Sequence, residues 1–214
     1  MTAASRVIVI GGSGFGREVL DVLEARQSSG AQVEVIGVVD DAPSEENLAR
    51  LKRRAVAYMG TLNEWLARGE VAKYVIGIGA PAIRRAITQR LEAAGLNAFT
   101  VVHPTATFGR GVTCAPGVVV CAGVQISTEV HLGAHTHVNP NATVGHDSVL
   151  GAFVSVNPGA IVSGGCQIEE SVLLGAGSVV LQGRRVGAGA TVGAAACVTR
   201  DVAPGSVVKG VPAR

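Results

Sequence analysis

One histidine stands in the run NATVGHDSVLGAF, residues 141–153, among small and aliphatic neighbours. His146 is followed at once by Asp147, and Gly164 stands eighteen residues further on. Imidazole is the side chain whose ordinary titration spans neutral pH, which suits it to general-base work. Glycine lets a ligand approach the backbone and meet its N–H. A spacing that stacks the two would place a base beside an amide donor. That is a layout for acyl transfer: the base takes a proton from an attacking amine or hydroxyl, and the amide steadies the oxyanion on the acyl carbonyl.

Whether eighteen residues stack depends on the period of the chain around them. Every sixth residue from Val102 to Val198 is apolar, through Val120, Leu132, Val144, Leu150, Val162 and Val180. Residues two earlier are mostly small or aliphatic, with Arg184 breaking the run. A strict hexapeptide repeat marks a parallel β-helix, in which each hexamer forms one flat side and a coil takes about 18 residues. Thr128, His146, Gly164 and Gln182 then form one column, and adjacent strands lie about 4.8 Å apart.

Residues 1–100 have a different rhythm. RVIVI (6–10), VEVIGVVDD (33–41), KYVIGIG (73–79) and AFTVV (98–102) read as four strands. REVLDVLEARQ, TLNEWLARG and APAIRRAITQRLEAAG read as helices between them, Thr61 and Glu64 lying at capping-box spacing. Alternation of this kind implies a small parallel sheet covered by helices. The expected organisation is a Rossmann-like α/β domain over 1–100, then a left-handed β-helix over 101–214 with a short closing segment.

Composition narrows the function classes. The chain has 214 residues, 18 basic and 16 acidic, without a lysine or arginine cluster, which argues against nucleic acid or an anionic membrane as partner. No stretch approaches the ~20 apolar residues of a membrane span, and the N-terminal apolar run is too short for a signal peptide. Cys114, Cys121, Cys166 and Cys197 form no CxxC pair, so a reduced, cytoplasmic setting is expected. With 29 glycines and aromatics at 3%, the core must be narrow. The turn GGSGFG (11–16) has the spacing G-x-x-G-x-G, with Arg17 where a dinucleotide fingerprint would place its third glycine, so a dehydrogenase is not indicated.

VIVIGGSGFGREVLD, VVDD, VVHPTA, TVGHDSVLG, PGAIVSGGCQI and GSVVKGVPAR follow one another along the chain. In that order they resemble the hexapeptide-repeat acyltransferases, and more closely the sialic-acid O-acetyltransferases and bacillosamine-pathway sugar N-acetyltransferases. The resemblance implies acetyl-CoA as co-substrate, a nucleotide-linked amino sugar as acceptor, and a homotrimer with active sites between subunits. O-acetylation of a sugar is the alternative. It makes His146 the general base, Asp147 its support, and the Gly164 amide the partner of the acetyl oxygen. It places Gly12, Ser13, Gly14 and Phe15 at the nucleotide phosphates and Asp40 and Asp41 at the base. Phe15 and Ser155 stand where some members carry histidines, the second beside the acetyl-CoA arm. Backbone near Gly164 and Gln182 is expected to hold pantetheine, and Arg184 and Arg185 the CoA phosphates.

Trimeric β-helices of the γ-carbonic anhydrase type set the rival reading, with zinc held by histidines such as His131, His135 and His137. That family's wider ligand spacing and lack of an α/β domain speak against it, and no metal is expected. His103 is expected to be structural, at the domain junction.

Overall fold

The computed structural model describes residues 4–214, so the first three residues of the expected domain 1–100 lie outside the described residues. The α/β unit runs β1 (Ser5–Ile10), α1 (Gly14–Ser28), β2 (Val33–Val39), α2 (Glu45–Arg53), α3 (Leu62–Ala67), β3 (Lys73–Ile76) and α4 (Pro81–Ala93). Its sheet is parallel, in the order β2-β1-β3. Val7 and Val9 face Val19, Leu20 and Leu23 of α1, while Ile8 and Ile10 face Leu62, Trp65 and Leu91. Alternate residues of β1 thus serve two cores, as expected of a strand buried on both faces.

The sheet has three strands, where four were expected. Ala98 makes a single bridge to Tyr74, and Val101–Val102 is already the first rung of the β-helix, paired with Val119–Val120. The six-residue phase begins at Val102 and claims the segment. In return α2 appears where no helix was expected. It buries only Leu51, so no apolar period announces it. Its start is set by the Ser44 side chain, which accepts from the Asn47 N–H, with Glu45 and Glu46 in the first turn. The capping box at Thr61 and Glu64 is present.

From Val101 the chain winds into a left-handed β-helix whose three flat parallel sheets hold seven, six and five strands. The first face starts at Val101–Val102, the second at Thr107–Phe108 and the third at Thr113–Cys114. Val144 pairs with Val162 and Val162 with Val180, so eighteen residues make one coil. These side chains are wholly buried, in a core of valine, leucine, isoleucine, alanine and cysteine. Each fully buried Val or Leu contributes roughly 1.5–3 kcal/mol by leaving water. The closing segment adds a last rung, Val207–Val208, which pairs with Thr191–Val192 after a coil shortened to sixteen residues.

The α/β unit covers the first face. Val101, Val119 and Cys121 share a core with α1, and His137 and Ser155 of the same face are buried.

Candidate active site

The turn carrying His146 and Asp147 joins the second face (Thr143–Val144) to the third (Val149–Leu150). In a triangular coil this corner lies opposite the first face, and both side chains are exposed. Asp147 has a φ of 59°, in the left-handed region. This bend turns its carboxylate towards its neighbour, and His146 Nδ1 lies 2.7 Å from Asp147 Oδ2. With Nδ1–H donated to Asp147, the lone pair of the imidazole sits on Nε2.

Gly164 stacks on the ring. A Cβ built on Gly164 would fall 2.5 Å from His146 Nε2, so only glycine leaves that nitrogen room. Gly165 donates its N–H to the His146 carbonyl at 2.7 Å, and Gly183 to the Gly164 carbonyl at 2.9 Å, which continues the column upward. Among the described residues the Gly164 N–H has no acceptor.

The basic pair above this column is engaged locally. Arg184 lies 3.7 Å from Asp201, and Arg185 Nε donates to Glu169 at 2.6 Å. Arg185 remains exposed and Arg184 is half-buried, and each already shares its charge with a carboxylate. Gln182 is exposed in the column, as expected. Ser155 is not beside it. As an outward residue of the first face it lies under α4, 1% exposed, where its hydroxyl accepts from Arg84 and donates to the Gly79 carbonyl. The sequence shows which residues point outward, and nothing in the hexapeptide phase tells which outward face another domain covers.

A second region lies at the carboxyl edge of the α/β sheet, where open parallel sheets bind ligands beside the point of strand-order reversal. A cavity of about 360 Å³ opens there between Gly11, Asp40, Asp41, Leu62, Ile83 and Ile87. A larger one, about 420 Å³, opens beside Arg6, Trp65 and Lys73. It lies at the amino edge of the strands, away from the carboxyl ends at which open α/β sheets bind their ligands.

Asp40 and Asp41 partly serve the loop itself. Asp40 accepts from the Gly12 N–H at 2.7 Å and from the Ala42 N–H at 2.9 Å, while Asp41 accepts from Leu62 at 2.7 Å. Among the described residues the second Asp41 oxygen keeps only a distant neighbour, Arg90 at 3.9 Å. Ser13 is the N-cap of α1 with its hydroxyl uncommitted, and Gly14 opens the helix. Phe15 turns away from this edge. Its ring packs 4.9 Å from that of His137, so the aromatic joins the α/β unit to the first face instead of reaching the phosphate turn.

The three clustered histidines diverge. His131 is exposed on the third face and pairs with the Thr113 hydroxyl at 2.7 Å. His135 stacks between Tyr74 and Phe153, with ring centroids 5.9 and 5.2 Å away. Burial, and then the neighbouring Arg84 charge, push its pKa down to about 4. His137 is buried on the first face, and burial holds it well below the ordinary value. Among the described residues no group of three or more His, Cys, Asp or Glu side chains could hold a metal ion. His103 bonds Thr105 within its own turn. Arg84 and Arg85 of α4 were not singled out from sequence, because a basic pair on a helix ordinarily reads as solvated surface.

Three comparisons bear on this geometry. Residues 6–91 match the PglD N-terminal domain. A GDP-perosamine N-acetyltransferase of Escherichia coli O157:H7 is 30% identical over 150 residues, 69% of this chain but only 65% of that protein's length. A mutant perosamine N-acetyltransferase from Caulobacter crescentus, crystallised with CoA and GDP-perosamine, superposes with a TM-score of 0.86 at 29% identity, covering 99% of this chain and 97% of that one. The acetyltransferase domain of PglB from Neisseria gonorrhoeae, in complex with acetyl coenzyme A, gives 0.85 at 29% identity, covering 99% of each chain. The chain carries a PglD-type N-terminal domain over residues 6–91 and is similar along nearly its whole length to β-helical acetyltransferases.

Proposed function

We propose that this protein transfers the acetyl group of acetyl-CoA to the amino group of a nucleotide-linked amino sugar. The observation that carries the reading is the stacking of Gly164 on His146, where a side chain would stand 2.5 Å from Nε2. A thioester carbonyl lying against Gly164 has a base and an amide donor on the same side. The sugar amine attacks the carbonyl carbon while Nε2 takes its proton and the Gly164 N–H stabilises the oxyanion. Collapse breaks the C–S bond, and the leaving thiolate takes a proton from the imidazolium. Asp147, on Nδ1, holds the ring in the tautomer this needs.

In this reading residues 1–100 hold the nucleotide at the carboxyl-edge cavity, lined by Asp40 and Asp41, with Ser13 and Gly14 in the turn that follows Gly11, and residues 101–214 perform the transfer. The similar proteins bound to GDP-perosamine support a nucleoside diphosphate sugar. The α/β unit covers the first face while His146 sits at the opposite corner, so an acceptor held by one chain meets the base of another. Ile161, Val149 and Leu181 are exposed apolar residues around that corner. A homotrimer packing three β-helices side by side about a shared three-fold axis covers them and brings the two halves of the site together. We place it in the cytoplasm, where its four free cysteines stay reduced.

The test is thiol release from acetyl-CoA in the presence of GDP- and UDP-linked 4-amino sugars. Turnover with one of them, lost by about 10²–10⁴-fold in His146→Ala, is the expected result. Absence of turnover with every amino sugar, or an active His146→Ala, overturns it. Light scattering should give three times the chain mass, and a monomer would leave His146 without an acceptor.

A further inference from the structure

We propose that Arg84, with Ser155 as its counterpart, is a positioning residue that locks one wall of the acceptor cavity to the β-helix. The inference rests on the reading of that cavity as the nucleotide-sugar site.

Arg84 is fully buried, and among the described residues no carboxylate pairs with it. Its guanidinium is spent on backbone oxygens from two domains. Nη1 donates to Ile78 O at 2.9 Å and Gly79 O at 3.0 Å, both in the loop after β3. Nε donates to His135 O at 2.9 Å, and Nη2 to Phe153 O at 2.8 Å and Ser155 Oγ at 3.1 Å, all on the β-helix. Ser155 closes the ring by donating to Gly79 O at 2.9 Å.

The planar fork of arginine suits this task, since it aims several donors in fixed directions. Burying a guanidinium is costly, and the cost is recovered only where its donors are met. Docking by apolar contact alone would need no such group. What the arrangement adds is a fixed register between the loop at 78–79 and the coils at 135 and 153. That loop and α4 carry Ile78, Ile83 and Ile87, which form one side of the cavity. The opposite side, Val39 to Ala42 and Leu62, comes from the end of β2 and from α3 of the same α/β unit. Arg85 adds a second, more exposed tie from α4, to Ser171 at 2.8 Å and Glu170 at 3.0 Å. The acceptor is thereby held by a wall fixed to its own chain's β-helix, which in the trimer sets its distance from the neighbouring chain's base, and a displacement of about 1 Å at such a wall can cost 10²-fold in rate.

Hydrogen exchange of the full-length protein tests the clamp, and kinetics test its purpose. Arg84→Lys keeps the charge and loses the fork, and Ser155→Ala removes one link and leaves the core intact. In both variants exchange over residues 77–87 should rise while the coils at 161–198 stay protected. The Michaelis constant for the amino-sugar substrate should rise about tenfold in Arg84→Lys and less in Ser155→Ala, with that for acetyl-CoA unchanged. Unchanged exchange at 77–87 in both variants overturns the clamp. Faster exchange with an unaltered acceptor constant, or equal losses for both substrates, overturns the positioning role. If wild type accepts no amino-sugar nucleotide, the function reading falls and the exchange data still decide the clamp.

Discussion

His146 Nδ1 and Asp147 Oδ2 lie 2.7 Å apart although the two residues are chain neighbours. Successive side chains on a strand point to opposite faces, so an extended chain would separate them. The left-handed turn at Asp147, φ 59°, makes the contact. The same turn position one and two coils on is occupied by Gly165 and Gly183, which adopt that conformation without a Cβ penalty. A non-glycine residue in the left-handed region costs of order 1–3 kcal/mol. Glu129, one coil earlier, and Asn141, Phe153, Ser171 and Ala195 at other corners take the same conformation. The turn thus belongs to the scaffold, and what is particular to Asp147 is the carboxylate it sets on an imidazole.

Asp147→Gly should therefore separate stability from activity. Removing the strained side chain should leave the thermal midpoint equal or higher, while kcat falls about tenfold or more because the ring loses its partner. Paired melting curves and steady-state rates decide it. A variant that is less stable and equally active would make Asp147 a structural residue.

The buried histidines set an acid limit on domain docking. His135 has its pKa pushed down to about 4 by burial and by Arg84, and His137 is held well below the ordinary value by burial, Arg84 and His135. Both are neutral in the folded protein and take up protons on unfolding at their ordinary values near 6.5. The stability is fully present above pH ~6.5 and is lost as pH falls from there towards about 4. Thermal midpoints measured from pH 7.5 to 4.5 should drop over that window, and His135→Gln should flatten the profile. A flat wild-type profile would count against it.

How much of this was legible in the sequence differs by part. The β-helix was legible because a repeat of identical geometry writes the same apolar demand every six residues, from Val102 to Val198. The His146–Gly164 stack followed from that phase alone. The position of Ser155 did not, because its outward direction is in the phase while the α4 cover depends on tertiary docking. Phe15 reads the same way: the glycine turn is visible, but the direction of its ring was set by His137, more than a hundred residues away. Helix α2 carried a capping serine and an acid-to-base charge gradient, signals that outlast the missing apolar stripe.

His137 offers a check on burial energetics. Its two ring nitrogens are both buried without a partner among the described residues. At least one carries a hydrogen, so a donor and an acceptor go unmet. His137→Leu replaces them with an apolar side chain of similar size against Phe15. Since an unmet buried polar group costs about 1–3 kcal/mol, the variant should be more stable at pH 7. Chemical denaturation measures this, and a loss of more than about 1 kcal/mol would show that a water or ligand satisfies the ring.

Gly164 and Gly165 together test the acyl-transfer geometry. Gly164 lies outside the left-handed region, so alanine there suits the backbone, but its Cβ would stand 2.5 Å from His146 Nε2. The ring has to swing aside, and the approach to the Gly164 N–H closes. Gly165 has a φ of 67° and open space around it, with only Gly183 Cα at 4.0 Å. Alanine at 165 therefore strains the backbone by about 1–2 kcal/mol and leaves the imidazole untouched. The two variants should diverge in opposite senses. Gly164→Ala should keep nearly the wild-type melting temperature and lose kcat by about 10²-fold or more, the scale of removing an oxyanion donor. Gly165→Ala should melt several degrees lower and keep its turnover at 25 °C. If Gly164→Ala turns over normally, the acyl carbonyl does not lie between the imidazole and this backbone, and the mechanism loses its geometric basis.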